Sequence, residues 1–153
     1  MSLWLRLLAA HNLVLREVRR GMGGAATLPQ FDVLAQLERE PEGLTLSVLS
    51  HRLLVTAGNL TGIVARLERG GLIHRDGDPL DRRAIRVRLS ARGRALLGDL
   101  MPKHAALVRS LFAELSAPEQ DELRARLARL GDAVVLQAAR ARASRRRKER
   151  THA

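Results

Sequence analysis

Cysteine and tyrosine are both absent from this chain of 153 residues. Without cysteine there can be no disulfide framework, no thiolate metal site and no cysteine nucleophile. This composition fits a reducing compartment, so we expect a cytoplasmic protein. Aromatic side chains are scarce, since the sequence holds only Trp4, Phe31 and Phe112. Its apolar residues are mostly leucine, alanine and valine, which favours helices over a β-sandwich or a barrel.

Long apolar runs and enzyme motifs are missing as well. No run approaches the roughly 20 apolar residues of a membrane helix. Charged residues such as Arg6 and Glu17 interrupt the first apolar segment, which argues against a signal peptide. The five histidines are scattered without a metal-ligand spacing, and no nucleophile elbow or phosphate-binding loop is present. We therefore expect no catalytic residues, no metal site, no cofactor and no membrane partner.

The positive charge of the chain is concentrated in two segments. The formal net charge is +11. Residues 45–97 hold ten arginines against four acidic residues, and residues 140–153 hold seven basic residues against one acidic residue. A field of this sign concentrates a polyanion such as DNA. The alternative is that part of the arginine content reflects a GC-rich coding bias.

Apolar spacing and capping residues predict six helices separated by glycine and proline breaks. The helices are expected over residues 2–20, 28–39, 46–53 and 57–69, then after Ser90 and after Ser116. Pro102 is expected to kink the fifth helix or to mark an irregular turn. Residues 143–153 lack apolar periodicity and are expected to be frayed or disordered.

The segment 44–97 begins with the spacing of a helix-turn-helix, in which a tight turn joins two short helices. Thr45 and Thr56 are typical N-caps for these helices. The second helix has one apolar face, made of Leu60, Ile63, Val64 and Leu67. Its opposite face presents small and polar residues, namely Ala57, Gly58, Asn59, Thr61, Gly62, Ala65 and Arg66.

This small and polar face fits the major groove of DNA. Gly58 and Gly62 allow a close approach, and Asn59 can pair with the edge of an adenine. Thr61 can meet a base, a thymine methyl or a phosphate, while Arg66 can reach guanine or a backbone oxygen. The N-terminus of the helix suits a phosphate. The alternative is an amphipathic surface helix, in which the two glycines would be a cost without a gain.

A two-stranded wing follows the second helix, with a turn-rich tip at residues 76–82. Alternation along the second strand places Ile85, Val87 and Leu89 on one buried face. At the tip, Asp81 can hydrogen-bond the backbone or Arg83, and an ordered arginine there can enter a narrow minor groove. The candidate phosphate contacts of the wing are Arg82, Arg86 and Arg88. A solvated turn of aspartate and arginine is the alternative.

These residues resemble the MarR family of transcription regulators. The matching pieces are LTLSVLSHRL, VTAGNLTGIVARLERGGLIHR and DPLDRRAIRVRLSARGRAL. By this resemblance, Asp81 and Arg83 correspond to the family's aspartate and minor-groove arginine, and Gly93 to the glycine that follows the wing. Gly62 and Ala65 depart from the family, which commonly has a basic residue and an aspartate at these positions. The candidate DNA-binding residues are Thr45, Thr56, Ala57, Gly58, Asn59, Thr61, Gly62, Arg66, Asp81, Arg82, Arg83 and Arg86.

The resemblance implies a homodimer whose repression is relieved by a small ligand or an oxidant. The absence of cysteine removes the thiol peroxide sensors from this choice. Relatives bind small aromatic acids between the dimerisation helices and the winged lobe, which implies an aromatic or phenolic effector here. The candidate ligand-binding residues in that cleft are His11, Asn12 and Arg16. Alternatively, His11 and Asn12 are ordinary surface or interface residues.

The expected fold class is mainly α with a small β-hairpin wing (α+β), in a single domain over residues 1–153. A winged helix-turn-helix occupies residues 28–97, dimerisation helices occupy 1–26 and 98–143, and a basic tail occupies 144–153. The outer helices carry more apolar surface than one small winged domain can cover, so a homodimer is expected. A monomeric bundle of the first, fifth and sixth helices is the alternative.

The expected function is sequence-specific binding of double-stranded DNA by a homodimeric, ligand-responsive repressor on a palindromic operator. Two alternatives stay open at this point. One is an architectural or non-specific DNA-binding protein, and the other is a protein-interaction module that uses the winged-helix fold.

Overall fold

The computed structural model describes residues 2–78 and 84–151. Within these residues the elements are α1 (Leu3–Gly21), α2 (Leu28–Glu38), β1 (Leu44–Thr45), α3 (Leu46–Leu53), α4 (Ala57–Arg69), β2 (Ile73–Gly77), β3 (Ile85–Leu89), α5 (Ala91–Leu111) and α6 (Ala117–Thr151). The contacts divide the chain into two compact units, 1–110 and 111–153. The mainly helical fold with a small antiparallel sheet agrees with the fold class expected from the sequence.

Threonine caps begin three of the helices, as the sequence predicts. At α2, the backbone N–H of Thr27 donates to Gln30 Oε1 at 2.9 Å, and the N–H of Gln30 donates to Thr27 Oγ1 at 3.4 Å. Thr45 Oγ1 accepts from the N–H of Val48 at 3.4 Å and so caps α3. Because each cap satisfies a backbone N–H that has no partner inside the helix, these threonines set where the helices start.

The sheet has three strands in the order β1-β3-β2, and both pairings are antiparallel. The sequence predicted the hairpin of β2 and β3 but not β1, which is only two residues long and pairs Leu44 with Val87. The prediction that Ile85 shares the buried face is wrong, since its exposed fraction is 37% while Val87 is fully buried. Ile85 pairs with Gly77 at the outer end of the hairpin, beyond the core.

The core of the unit 1–110 lies between α2, α3, α4, the sheet and the start of α5. Its most deeply buried side chains are Val33, Leu34, Leu37, Leu49, Leu60, Val64, Leu67, Ile73, Val87 and Leu97. The apolar face predicted for α4 is confirmed in full, because Ile63 is buried as well. Packing α4 on the core therefore determines which of its residues stay outside.

Two predictions about α5 and α6 need correction. Helix α5 continues through Pro102, so the proline does not mark an irregular turn, while the kink stays a prediction. Leu97 and Leu100 hold the turns before the proline in the core. Helix α6 continues to Thr151, so the basic segment is helical rather than frayed. Apolar periodicity reports burial, whereas alanine, arginine, lysine and glutamate favour a helix even when nothing covers it.

Helix α6 begins directly after Ser116, as the sequence predicts, and Ser116 and Glu119 cap it. The backbone N–H and the hydroxyl of Ser116 donate to Glu119 Oε2 at 2.8 and 2.6 Å. These hydrogen bonds stabilise the ionised carboxylate, so the pKa of Glu119 lies below its usual value. The exposed apolar side chains of α6 are Leu123, Leu127, Leu130, Val134, Val135 and Leu136.

Two glycines of α5 offer a matched test of this packing. We expect Gly93→Ala to lower the free energy of unfolding by about 1–3 kcal/mol, because its new Cβ would lie 2.0 Å from the carbonyl oxygen of Leu72. Gly98→Ala adds the same methyl group where no described atom lies within 4 Å. It should raise the free energy of unfolding by up to about 1 kcal/mol. Urea unfolding of both variants checks this, and equal stabilities would contradict the close approach.

Candidate DNA-binding surface

Helices α3 and α4 form the two arms of a helix-turn-helix. The chain turns by 111° between them, within the range of about 90–120° typical of this motif. Leu54 adopts a left-handed conformation at φ 54° in the turn, and the hydroxyl of Ser50 donates to the carbonyl of Val55 at 2.8 Å. No single described helix has the length and hydropathy of a membrane span, and α3 and α4 reach those values only when joined across this bend.

The outer face of α4 is the surface that the sequence predicts. The exposed residues are Thr56, Ala57, Gly58, Asn59, Thr61, Gly62 and Arg66, and Ala65 is half-buried. A Cβ added at Gly58 would meet no described atom within 4 Å, and at Gly62 it would meet only the Arg66 guanidinium, at 4.0 Å. Packing within the described chain therefore does not require either glycine. Because neither glycine has a side chain, a partner can come close to the helix backbone in the middle of this face.

The polar groups on this face differ in how far they are engaged. The hydroxyl of Thr61 donates to the carbonyl of Ala57 at 2.8 Å, which leaves its methyl group and its lone pairs for a partner. Among the described residues, no side-chain hydrogen bond engages the amide of Asn59 or the guanidinium of Arg66. The amide offers a donor and an acceptor, the pair that an adenine edge requires, and the guanidinium offers donors alone.

Arg86 braces the base of the wing. Its Nε and one terminal nitrogen lie 2.8 and 2.6 Å from Asp78 Oδ2, and its other terminal nitrogen donates to the carbonyl of Gly43 at 2.9 Å. The side chain of Asp78 is only 4% exposed. Gly43 has φ 77°, and a Cβ there would lie 2.3 Å from the carbonyl oxygen of Val87. The guanidinium thus ties the wing to the loop before β1, while its contact with a phosphate stays a prediction.

Many arginines of the basic segment 45–97 are already paired. Of the eight arginines described in this segment, five form ion pairs within the chain. These are Arg52, Arg75, Arg86, Arg88 and Arg94. Arg66 is exposed on α4 and belongs to none of these pairs. The sequence overstates the free positive charge of this segment, because acidic partners such as Glu40 and Glu38 lie outside it.

The remaining predicted residues are placed as follows. Asp81, Arg82 and Arg83 lie outside the described residues. His11, Asn12 and Arg16 are exposed on α1, and Arg16 Nε lies 3.3 Å from Glu17 Oε1.

The predicted ligand residues line neither of two open cavities in the described part of the chain. One, of about 400 Å³, is lined by Glu42, Asp76, Gly77, Arg86 and Arg88. The other, of about 350 Å³, is lined by Arg19, Gly24, Ala26, Thr27, Leu28 and Pro29.

The sequence did not predict the contact between Phe31 and Asp32 of α2 and His104 of α5. The ring centroids of Phe31 and His104 lie 4.6 Å apart, and His104 Nδ1 is buried without a hydrogen-bond partner in the described chain. Burial raises the pKa of the neighbouring Asp32, and attraction to His104 opposes that rise. No local pattern could indicate this group, because its members lie on helices far apart in the sequence.

Comparison with known proteins agrees with this geometry. A sequence profile of the MarR family matches residues 26–84. The chain is 32% identical over 105 residues to the HTH-type transcriptional repressor Rv2887 of Mycobacterium tuberculosis, covering 69% of this chain and 75% of that protein. This chain therefore belongs to the MarR family. The uncharacterized HTH-type transcriptional regulator YkoM of Bacillus subtilis is 37% identical over 95 residues, covering 61% of this chain and 60% of YkoM.

One solved structure resembles this chain over most of its length. It is the PcaV transcriptional regulator from Streptomyces coelicolor in complex with its natural ligand, with 30% identity and a TM-score of 0.73. The alignment covers 86% of this chain and 91% of PcaV. The match to YkoM, by contrast, spans less than two thirds of the length of that relative. These relatives are transcriptional regulators rather than enzymes.

The brace at the wing can be tested against an exposed ion pair on the same strand. We expect Arg86→Met to lower the free energy of unfolding by about 1.5–3 kcal/mol, because it removes charged hydrogen bonds to a buried carboxylate. Arg88→Met removes the exposed pair between Arg88 and Asp76. It should cost less than about 1 kcal/mol. Chemical unfolding of both variants measures the difference, and equal losses would show that Arg86 does not brace the wing.

Proposed function

We propose that this MarR-family chain regulates transcription by binding double-stranded DNA, with α4 in the major groove and the wing in the flanking minor groove. The exposed face of α4 carries this proposal. Asn59 and Arg66 stand on it beside two glycines that intramolecular packing does not require. Each glycine costs about 1 kcal/mol of helix stability relative to alanine. A close approach between the backbone of α4 and the major groove of DNA would compensate for this loss of helix stability.

Base reading and phosphate binding fall to different residues in this proposal. Asn59, Thr61 and Arg66 contact base edges, where each good contact contributes about 1–3 kcal/mol of discrimination. The N-termini of α3 and α4, at Thr45 and Thr56, face phosphates. A contact from the wing to the minor groove rests on the resemblance of Asp81 and Arg83 to the family motif, and Arg82 is a candidate phosphate contact beside them. Arg86 supports this wing from inside the chain.

We also propose that the regulator is a homodimer on a palindromic operator. Helix α1 exposes apolar side chains along its length, namely Leu3, Trp4, Leu5, Leu7, Leu8 and Leu13. Helix α6 exposes the second apolar row described above. A second copy of the chain that covers these rows would remove a large apolar area from water. Two α4 helices in successive major grooves would lie about 34–36 Å apart.

A small aromatic or phenolic acid is proposed as the effector that relieves repression. PcaV, a relative of this chain, was solved with its natural ligand. The absence of cysteine favours a bound ligand over thiol oxidation as the signal. His11, Asn12 and Arg16 are exposed on one stretch of α1 and supply polar groups for a carboxylate or a phenol. In this proposal, the second copy of the chain completes the cleft.

The effector can be sought with benzoic and hydroxybenzoic acids. A compound that binds the folded chain should raise its melting temperature in proportion to the logarithm of its concentration. Arg16→Ala is expected to abolish that rise, whereas Arg20→Ala, also on α1 and also paired with Glu17, should retain it. A rise that survives Arg16→Ala would place the ligand elsewhere.

Base recognition by α4 can be tested with two substitutions, one that removes a base contact and one that adds a methyl group to the helix surface. Asn59→Ala is expected to lower the affinity for a selected operator by about 1–3 kcal/mol and to leave binding to random duplex unchanged. Gly62→Ala should stabilise the helix, since the space around it is open, and yet weaken binding to all DNA because its methyl group enters the groove. Gly98→Ala in α5 is the control, with the same stabilisation and unchanged DNA binding.

Competition binding between the selected operator and random duplex measures these affinities. If Gly62→Ala binds DNA as tightly as the control, α4 is an ordinary surface helix. Equal affinity of the unaltered chain for both duplexes would favour an architectural protein. The absence of salt-sensitive binding would favour a protein-interaction module.

A further inference from the structure

The segment 140–150 of α6 differs in charge from the earlier turns of the helix. Near the start of α6, acidic and basic residues compensate each other, since Arg124 pairs with Asp121 and Arg126 pairs with Glu122. Residues 140–150 contain seven arginine or lysine residues and a single acidic residue, Glu149. The backbone remains helical through this segment, to Thr151. The sequence thus supplies an excess of positive charge along a regular helix.

This excess is unfavourable for an isolated helix. Basic residues recur at spacings of three and four, as at positions 142, 146 and 150. Like charges at such spacings each destabilise a helix by about 0.2–0.5 kcal/mol. The helix dipole favours cations only within the last turn. A polyanion lying against the segment would turn this repulsion into attraction.

The arrangement fits a nucleic acid better than a lipid surface. Eleven helical residues rise about 16 Å, so the segment carries about one positive charge for each 2.4 Å of its axis, a density that attracts a polyanion such as DNA. At 3.6 residues per turn the basic positions are distributed on all sides of the helix axis. A helix that lies in a membrane interface needs an apolar face, and between positions 140 and 150 the only apolar residues are Ala141 and Ala143.

We propose that residues 140–150 form a second DNA contact, which binds phosphates and recognises no base pairs. This proposal rests on the proposed DNA-binding function and adds a separate surface to it. Since phosphates carry no direct sequence information, the contact raises affinity and salt dependence without changing sequence preference.

The test compares two triple variants of the full chain. Arg145→Gln/Arg146→Gln/Arg147→Gln removes three charges from the segment, and glutamine has a helix propensity close to that of arginine. Lys103→Gln/Arg109→Gln/Arg129→Gln removes three charges from exposed positions of α5 and α6. The probes are an operator selected from a random duplex pool, the same operator extended by unrelated flanks, and random duplex of equal length.

On the flanked operator, the segment variant should bind more weakly, and the slope of log K against log salt should fall by about 0.9 for each phosphate that is no longer neutralised. Random duplex of the same length should show the same fold-loss. The control variant should show neither change. Equal slopes for the two variants, or a loss confined to the operator sequence, would overturn the proposal.

The same experiment separates this proposal from the function on which it rests. If the segment variant keeps operator preference with an unchanged slope, only the second contact is wrong. If the unaltered chain shows no operator preference, the proposed reading by α4 is wrong, and the slopes still test the segment. Unchanged DNA slopes together with the loss of binding to anionic phospholipid vesicles would overturn the DNA contact in favour of a membrane.

Discussion

Burial of one face of α4 is the constraint on which the candidate DNA-binding surface depends. Leu60, Ile63, Val64 and Leu67 pack into the core, and the helical repeat then leaves their intervening positions outside. The exposed face cannot rotate without pulling leucine and isoleucine side chains into water, at about 1.5–3 kcal/mol for each side chain. Asn59 and Arg66 are therefore presented by a rigid element, and their distance from a partner is set by the small residues between them.

The wing depends on a different interaction, a buried carboxylate joined to an arginine and a backbone carbonyl. The guanidinium of Arg86 joins the hairpin of β2 and β3 to the loop before β1, because it contacts both Asp78 and the carbonyl of Gly43. Gly43 can occupy its place only because it lacks a Cβ. Arginine suits this role since its fixed fork of donors reaches both acceptors at once. A residue that looks from the sequence like one more surface cation is in fact part of the support of the wing.

Local signals predicted most of the fold, and contacts between distant residues account for what they missed. The threonine caps and the apolar face of α4 are encoded within a few residues, so the sequence was sufficient for them. The short strand β1 and the brace at Arg86 depend on partners about forty residues away. Ile85 was misplaced because alternation predicts a face but not where the core ends. The helix over residues 143–151 was missed because its residue types favour a helix without the apolar periodicity that signals burial.

The same distinction governs the candidate site. The exposure of the polar residues on α4 could be predicted, because it follows from helical periodicity. The number of available charges could not, since ion pairs with Glu38 and Glu40 join segments that the sequence keeps apart. With five arginines of the winged segment paired internally, less of the electrostatic attraction to a polyanion can come from that segment than its composition suggests. Under the proposed function, α4 supplies discrimination and non-specific affinity comes from charges elsewhere. The densest such run in the sequence is segment 140–150 of α6, with seven basic residues and one acidic residue.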